Sequence, residues 1–169
     1  MNYYVVETDK HKLIQKTAGV KARQDVETIF KWNNFKKIEI PCLIEGRENK
    51  TRLGKIKAHY DVYMLWKNAL KKIKKNDWIY IQFPLLEHTM LFSLLIKNLE
   101  MRGIHTSIII HDVEAIRFTL RNDVPLSRKI RMRFEEISSF KNCSKIIVHN
   151  EKMKSFMHEK WKIHKDKMD

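Results

Sequence analysis

The sequence predicts an α/β fold, in which an open parallel sheet of about five to six strands is covered by helices on both faces. Short apolar runs rich in Ile, Val and aromatic residues alternate with longer stretches whose apolar residues recur at helical spacing. The apolar runs have no polar face, which is typical of strands buried in a parallel sheet. With 169 residues the chain has room for one core of ordinary size. We expect one domain over residues 1–160 and a tail over residues 161–169.

Five apolar runs predict the strands, and four stretches between them have the spacing of amphipathic helices. The predicted strands are Tyr3–Val6, Lys37–Pro41, Trp78–Phe83, Thr106–Ile110 and Lys145–Val148. The predicted apolar stripes of the helices are Val20, Val26, Ile29 and Phe30; Ile56, Tyr60, Tyr63, Trp66, Leu70 and Ile73; Leu91, Leu95 and Leu99; and Leu126, Ile130, Phe134 and Ile137.

Local signals set several of the boundaries. Gly103 suits a left-handed cap at the end of a helix, and Asn150 suits the N-cap of a last helix predicted from Glu151 to Trp161. The final residues, KIHKDKMD, show no pattern that would give them a partner in the core.

Composition limits the classes of protein. Cys42 and Cys143 have no metal-ligand or disulfide-framework spacing, so we interpret both as buried thiols in a reducing cytoplasm. The N-terminus lacks the pattern of a signal peptide, and the longest apolar stretch is too short for a membrane span. We therefore expect a cytoplasmic chain, held at most peripherally at the inner face of the cell membrane.

The formal net charge of +14 would attract polyanions or an anionic membrane surface, although a lysine-rich solvated surface explains it equally well. Two basic groups stand out. Lys67, Lys71, Lys74 and Lys75 are predicted to share one helix face, and the second group is Arg128, Lys129, Arg131 and Arg133. Each group either docks on anionic headgroups or phosphates, or is an ordinary solvated helix face. No nucleic acid is expected as a partner, because no helix-turn-helix, RRM or KH pattern is present. The sequence leaves a homo-oligomer open.

Ligands of open parallel sheets bind beyond the carboxyl ends of the strands, where the strand order reverses. If the order is 3-2-1-4-5, the loop after the first strand and the pair His111-Asp112 flank that reversal. Asp112 could accept a proton from a sugar hydroxyl, or it could merely cap the turn Val113–Phe118. Gln82 could bond a substrate hydroxyl or a neighbouring loop. In the pair His149-Asn150, the capping role of Asn150 is favoured.

The loop from Glu7 to Gly19 is long for a connection between a strand and a helix, and it carries Lys10, Lys12 and Lys16, which suit a phosphate or pyrophosphate. The chain has no GxGxxG, GxxxxGK[ST], GxSxG or HExxH motif and no cluster with metal-ligand spacing. Dinucleotide-dependent, ATPase, hydrolase and metalloenzyme functions therefore lose their usual support.

The segments NDWIYIQFP, GIHTSIIIHDVEAIRF and KIIVHNEKMKSFM together resemble the N-terminal domain of a bacterial family of GT-B-fold sugar transferases. The family includes β-1,6-galactofuranosyltransferases and adhesin glucosyltransferases. Residues at family motif positions are Gln82, Pro84, His111, Asp112, Arg117 and Met153, and the loop with Gln15, Thr17 and Ala18 looks similar too. At the end of the fifth strand, His149-Asn150 stands where the family has a small or Ser-containing pair.

The resemblance implies a Rossmann-like domain that supplies the acceptor side of a glycosyltransferase cleft and binds a glycan or lipid-linked acceptor. No cofactor is implied, and the nucleotide-sugar donor would bind mainly to a C-terminal domain that is absent here, so this chain alone is expected to be inactive. Asp112 is implied as the catalytic residue. Gln82, Pro84, His111, Arg117 and Thr17 are the substrate-binding residues that the resemblance implies. Thr8, Lys16, His149 and Asn150 are further candidates, because they lie in the loops after the first and fifth strands.

An alternative interpretation is a stand-alone, non-catalytic glycosyltransferase-like domain that acts as the partner of a catalytic chain. The length of the chain favours this alternative, and the exposed cleft that it would leave argues against it.

Overall fold

The computed structural model describes residues 1–8, 18–43, 51–87, 89–113, 117 and 123–169. Five strands, five α-helices and one 3₁₀ turn lie in these residues. In chain order they are β1 (Asn2–Thr8), α1 (Ala18–Trp32), β2 (Lys36–Pro41), α2 (Arg52–Ala69), β3 (Trp78–Phe83), α3 (Phe92–Met101), β4 (His105–Ile110), α4 (Leu126–Asn142), β5 (Lys145–Ile147), α5 (Glu151–Trp161) and the 3₁₀ turn Lys165–Lys167.

The strands form one parallel sheet with the order β2-β1-β3-β4-β5. The α/β class and all five predicted strands are confirmed. The strand order 3-2-1-4-5, on which we based the position of the crevice, is wrong. In the observed order the connections reverse direction between β1 and β3, so the loops that follow these two strands flank the crevice.

Each face of the sheet has its own apolar core, because successive strand residues point to opposite faces. On one face, Phe30 of α1 stacks on Tyr4 and packs against Tyr80. On the other face, the larger core contains Trp66 of α2 and Phe140 of α4, both fully buried. Helices therefore cover both faces, as the sequence predicts.

Local capping signals are confirmed where the structure describes them. Asn150 accepts a hydrogen bond from the backbone N–H of Met153 at 2.9 Å, which makes it the N-cap of α5. Gly103 has a φ of 72°, the left-handed conformation expected after a helix.

The C-terminal residues pack against the core, contrary to the sequence expectation. Ile163 and Met168 are buried, and Met168 forms a parallel bridge with Ile146 of β5. The Asp169 carboxylate lies 2.5 Å from Lys145 Nζ. Two isolated apolar residues anchor this short segment. The sequence does not predict this packing, because two such residues form no helical or strand periodicity.

Three further expectations are corrected. The helix α2 ends at Ala69, so Lys71, Lys74 and Lys75 follow the helix and do not share a helix face with Lys67. Cys143 is buried as expected, but Cys42 is only half-buried. Several residues of the predicted apolar stripes are exposed to solvent: Ile29, Ile56, Tyr60, Leu126, Ile130 and Phe134.

Within the described residues, no helix combines the length and hydropathy that a membrane span requires.

Candidate functional site

The strands β3, β4 and β5 bring three of the sequence-predicted polar residues together at the carboxyl edge of the sheet. Gln82 lies in β3, and His111 and His149 follow β4 and β5. The register pairs Gln82 with Ile109 and Phe83 with Ile110, so His111 extends one residue beyond the end of β3. These three residues, which we call the edge cluster, lie beside the crevice between β1 and β3.

Gln82 and His111 form the closest side-chain contact of the edge cluster. The Nε2 atom of His111 lies 2.7 Å from Oε1 of Gln82. In this orientation of the amide, the imidazole donates from Nε2, and its Nδ1 carries a lone pair. That Nδ1 atom is shielded from solvent and has no hydrogen-bond partner among the described residues.

The environment of His111 keeps its imidazole neutral at physiological pH. Burial lowers the pKa of His111 from 6.5 to about 4, and the positive charges of Arg23 and His149 act in the same direction. Because Gln82 is itself buried, its amide holds the neutral ring in one orientation. The pair is therefore a rigid polar unit at the end of two central strands.

His149 and Asn150 have different roles in the structure. The exposed His149 donates from Nε2 to the backbone oxygen of His111 at 3.1 Å, and the two imidazole rings lie 6.0 Å apart. The side chain of Asn150 caps α5. His149 thus joins the edge cluster, whereas Asn150 has the structural role that the sequence favoured.

Asp112 lies at the rim of the edge cluster, next to His111, with 45% of its side chain exposed. Its Oδ1 accepts from the backbone N–H of Val113 at 2.8 Å, and its Oδ2 lies 3.0 Å from Nη1 of Arg117. The hydrogen bond joins Asp112 to the next residue and not to the N–H two or three residues on that an N-cap side chain accepts from, so it does not show the predicted capping role. Oxygen lone pairs remain for a further donor, because each carboxylate oxygen can accept two hydrogen bonds.

The crevice between β1 and β3 is largely filled by the loop that follows β3. The carboxylate of Glu7 accepts from the backbone N–H groups of Leu86 and Glu87, at 2.8 and 3.1 Å. The guanidinium of Arg23 donates to the backbone oxygen of Pro84. Burial lowers the pKa of Arg23, and Glu7 acts in the opposite direction. These contacts hold the loop over the crevice.

A cavity of about 30 Å³ remains beneath that loop. This volume is enough for a water molecule and far too small for a sugar. The loop would therefore have to move before this crevice could take a substrate. The lining residues are Val5, Val6, Glu7, Arg23, Glu27, Trp66, Ile81, Gln82 and Leu86.

The remaining predicted site residues lie elsewhere along the edge or outside the described residues. Thr8 ends β1, and its backbone oxygen accepts from the N–H of Cys42. Pro84 contributes its backbone oxygen to Arg23. Lys16 and Thr17 lie outside the described residues, as do Lys10 and Lys12 of the same loop.

Sequence reasoning missed Arg23, because an arginine within a helical pattern carries no signal that it turns inward. Among the residues that the structure describes, no group of three or more His, Cys, Asp or Glu side chains is placed to hold a metal ion.

The sheet and its edge cluster define the class of the chain as a Rossmann-like α/β domain with polar groups at the carboxyl ends of its central strands. A family model described as glucosyltransferase 3-like, N-terminal domain, matches residues 2–168. The chain belongs to this family and is a glucosyltransferase-related domain. This match confirms the relationship to glycosyltransferases that the sequence motifs indicate. No curated protein matches the chain.

Proposed function

We propose that this chain is the acceptor-side domain of a glycosyltransferase that moves a sugar from a nucleotide-sugar donor to a glycan, glycoprotein or lipid-linked acceptor. Glucose or galactofuranose is the proposed sugar. A donor-binding domain would complete a GT-B cleft facing the carboxyl edge of the sheet. The observation that supports this proposal is the convergence of family motif residues at that edge, where Gln82 holds a neutral His111 beside the half-exposed carboxylate of Asp112.

Asp112 is the proposed general base. As the acceptor oxygen bonds to the anomeric carbon of the donor sugar, the bond from that carbon to the diphosphate breaks, and the nucleoside diphosphate leaves with the electron pair. The hydroxyl proton passes to a carboxylate oxygen of Asp112. Arg117 would orient this carboxylate through its ion pair.

The other candidate bases at this edge are less suitable. His111 uses Nε2 to bond Gln82, and its Nδ1 is shielded from solvent, so the ring positions groups around it and does not reach a substrate proton. The carboxylate of Glu7 receives two backbone hydrogen bonds from the loop after β3. We therefore assign orientation to His111, Gln82 and His149, and proton transfer to Asp112.

The test compares Asp112→Asn with the unchanged residue in an enzyme preparation that contains this domain together with its donor-binding domain. UDP-glucose and UDP-galactofuranose serve as donors, and simple saccharide glycosides serve as acceptors. General-base catalysis contributes about 10²- to 10⁴-fold to the rate, so kcat should fall by about that factor while the melting temperature stays unchanged.

Asp61→Asn is the matched control, because Asp61 is an exposed carboxylate in the middle of α2 and does not belong to the edge cluster. It should leave kcat unchanged. Near-normal turnover of Asp112→Asn would remove Asp112 from the mechanism. Failure of every donor to transfer sugar in the unchanged enzyme would instead argue against the proposed function as a whole.

A further inference from the structure

The helix α4 has two apolar stripes, and the one that the sequence makes most prominent faces solvent. Leu126, Ile130 and Phe134 recur every four residues and are 71%, 61% and 71% exposed. The side that faces the core is buried through Met132 and Phe140. The outward stripe therefore does not contribute to the core of this domain.

The first half of α2 repeats this arrangement. Leu53, Ile56 and Tyr60 lie on neighbouring turns and are all more than half exposed. The helix buries its other side in the core through Val62 and Trp66. Exposed apolar surface of this extent, on two helices, marks an interaction surface more often than chance.

An open groove of about 610 Å³ separates the two helices. Apolar side chains, including Ile56, Met90 and Met132, and basic side chains of both helices line this groove. Within α4, Nε of Arg131 forms an ion pair with Oε1 of Glu135 at 3.4 Å. The lining residues are Arg52, Lys55, Ile56, Ala58, His59, Met90, Arg128, Arg131, Met132 and Glu135.

The charge of this surface is strongly positive. Residues 52–61 and 126–135, which together we call the α2/α4 face, contain seven Lys or Arg and two Asp or Glu. Basic side chains that flank exposed Leu, Ile and Phe on a helix are the pattern of helices that lie in the interface of a membrane. The long stems of Arg and Lys can cover apolar surface while their charged ends reach phosphate groups.

The lysine-rich segment 67–75 differs from the α2/α4 face in its apolar residues. Lys67, Lys71 and Lys72 are exposed, but Leu70 and Ile73 of the same segment are buried. This segment therefore offers charge without an apolar group that could enter a bilayer. It is the natural control for an effect of charge alone.

We propose that the α2/α4 face docks on a bilayer that contains anionic lipids, with Leu126, Ile130 and Phe134 entering the headgroup boundary and the flanking basic residues contacting lipid phosphates. The proposal does not rest on the glycosyltransferase reaction. It rests on the exposed apolar residues and on the charge of the helices that carry them.

Vesicle sedimentation of this chain tests the proposal. Vesicles of phosphatidylglycerol and phosphatidylcholine in equal parts should bind the chain, and pure phosphatidylcholine vesicles should not. Arg128→Glu/Arg131→Glu should lower the partition coefficient at least about tenfold, because the contribution of each basic residue near an anionic surface is lost or reversed. Ile130→Ser/Phe134→Ser should lower it comparably without a change in net charge.

Lys71→Glu/Lys72→Glu is the matched control, because it makes the same change in net charge on the lysine-rich segment. It should change the partition coefficient by less than about threefold. Circular dichroism and the melting temperature should show that all variants remain folded, since the changed side chains are mostly exposed.

Three outcomes would overturn the proposal. The unchanged chain could fail to sediment with anionic vesicles. The lysine control could lose as much binding as the arginine variant, which would mean that the net charge alone attracts the chain. The serine variant could retain full vesicle binding but lose a self-association seen by analytical ultracentrifugation, which would make this face an interface between copies of the chain.

Discussion

Two neighbouring regions at the carboxyl edge of the sheet use polar side chains in different ways. In the crevice between β1 and β3, Glu7 and Arg23 form hydrogen bonds with the backbone of the loop after β3. A cavity of about 30 Å³ remains beneath this loop. In the edge cluster at the ends of β3, β4 and β5, one hydrogen bond joins two side chains and another runs from a side chain to a backbone oxygen. At the rim of this cluster the carboxylate of Asp112 is almost half exposed.

The strand order alone does not locate the half-exposed polar groups of this sheet. The reversal of strand order identifies the crevice between β1 and β3, and a ligand there would be expected in an open α/β sheet. In this chain, however, the charged groups at the reversal hold a loop in place. The groups that can meet a substrate without such a rearrangement lie one strand further along the sheet.

The largest expected effect comes from the crevice. Glu7→Ala leaves the N–H groups of Leu86 and Glu87 without their carboxylate acceptor. Hydrogen bonds to charged groups contribute about 1.5–3 kcal/mol each, and because the bond to Leu86 is exposed we expect the low end of the sum, a fall of about 3–4 kcal/mol in the free energy of unfolding in urea denaturation. Glu27→Ala, which removes a carboxylate that lines the same cavity and faces Arg23, should lower it by a smaller amount. Equal effects of the two substitutions would mean that the loss of charge, and not the hold on the loop, determines stability.

A smaller loss is expected from the edge cluster. Gln82→Leu keeps the buried volume but leaves Nε2 of His111 without its acceptor. The unmet donor should lower the free energy of unfolding by about 1–3 kcal/mol. Gln24→Leu, at an exposed position of α1, is the control and should change stability by less than about 0.5 kcal/mol. If Gln82→Leu stabilises the chain, the pair is not the rigid unit described above.

The sequence predicts the local features of both regions and misses those that depend on distant contacts. All five strands and the N-cap at Asn150 follow from short apolar runs and a side chain that bonds its own helix. The strand order does not follow, because the pairing of β1 with β3 joins segments far apart in the chain. The inward direction of Arg23 is likewise set by Glu7 and Pro84, which no local pattern connects to it.

Helical periodicity also could not identify which stripe of α4 faces the core. Leu126, Ile130 and Phe134 have ideal spacing, yet the buried side of the helix includes Glu136 and Ser139. The choice between the two sides is made by packing against α3 and the sheet. A polar side chain can be buried where it finds hydrogen-bond partners, and a pattern based on hydropathy alone excludes it.

The depressed pKa of His111 predicts a pH dependence that is specific to the edge cluster. Its folded pKa is about 4 and its ordinary value is 6.5, so the unfolded chain binds more protons between these pH values. The stability that comes from the neutral ring is fully present above about pH 6.5 and is lost as the pH falls toward 4. Because the ring is partly exposed, we expect a loss of about 1–2 kcal/mol.

Urea denaturation at several pH values measures this dependence by comparing the chain with His111→Asn. The variant should lose less stability than the unchanged chain between pH 6.5 and 4. His164→Asn is the matched control, because it removes an exposed imidazole outside the edge cluster. An unchanged slope in His111→Asn would show that the ring titrates normally in the folded chain.

The smallest effect separates capping from substrate binding at Asn150, which is a candidate substrate-binding residue because it follows the fifth strand. Asn150→Ala removes the hydrogen bond to Met153 and should lower the free energy of unfolding by about 1 kcal/mol. Asn150→Ser and Asn150→Asp keep an oxygen that can cap α5, so both should restore most of that stability. In an enzyme that contains the donor-binding domain, the two capping variants should also retain normal KM for the acceptor. A raised KM in stable capping variants would mean that the Asn150 amide contacts the acceptor, and the edge cluster would then extend to the start of α5.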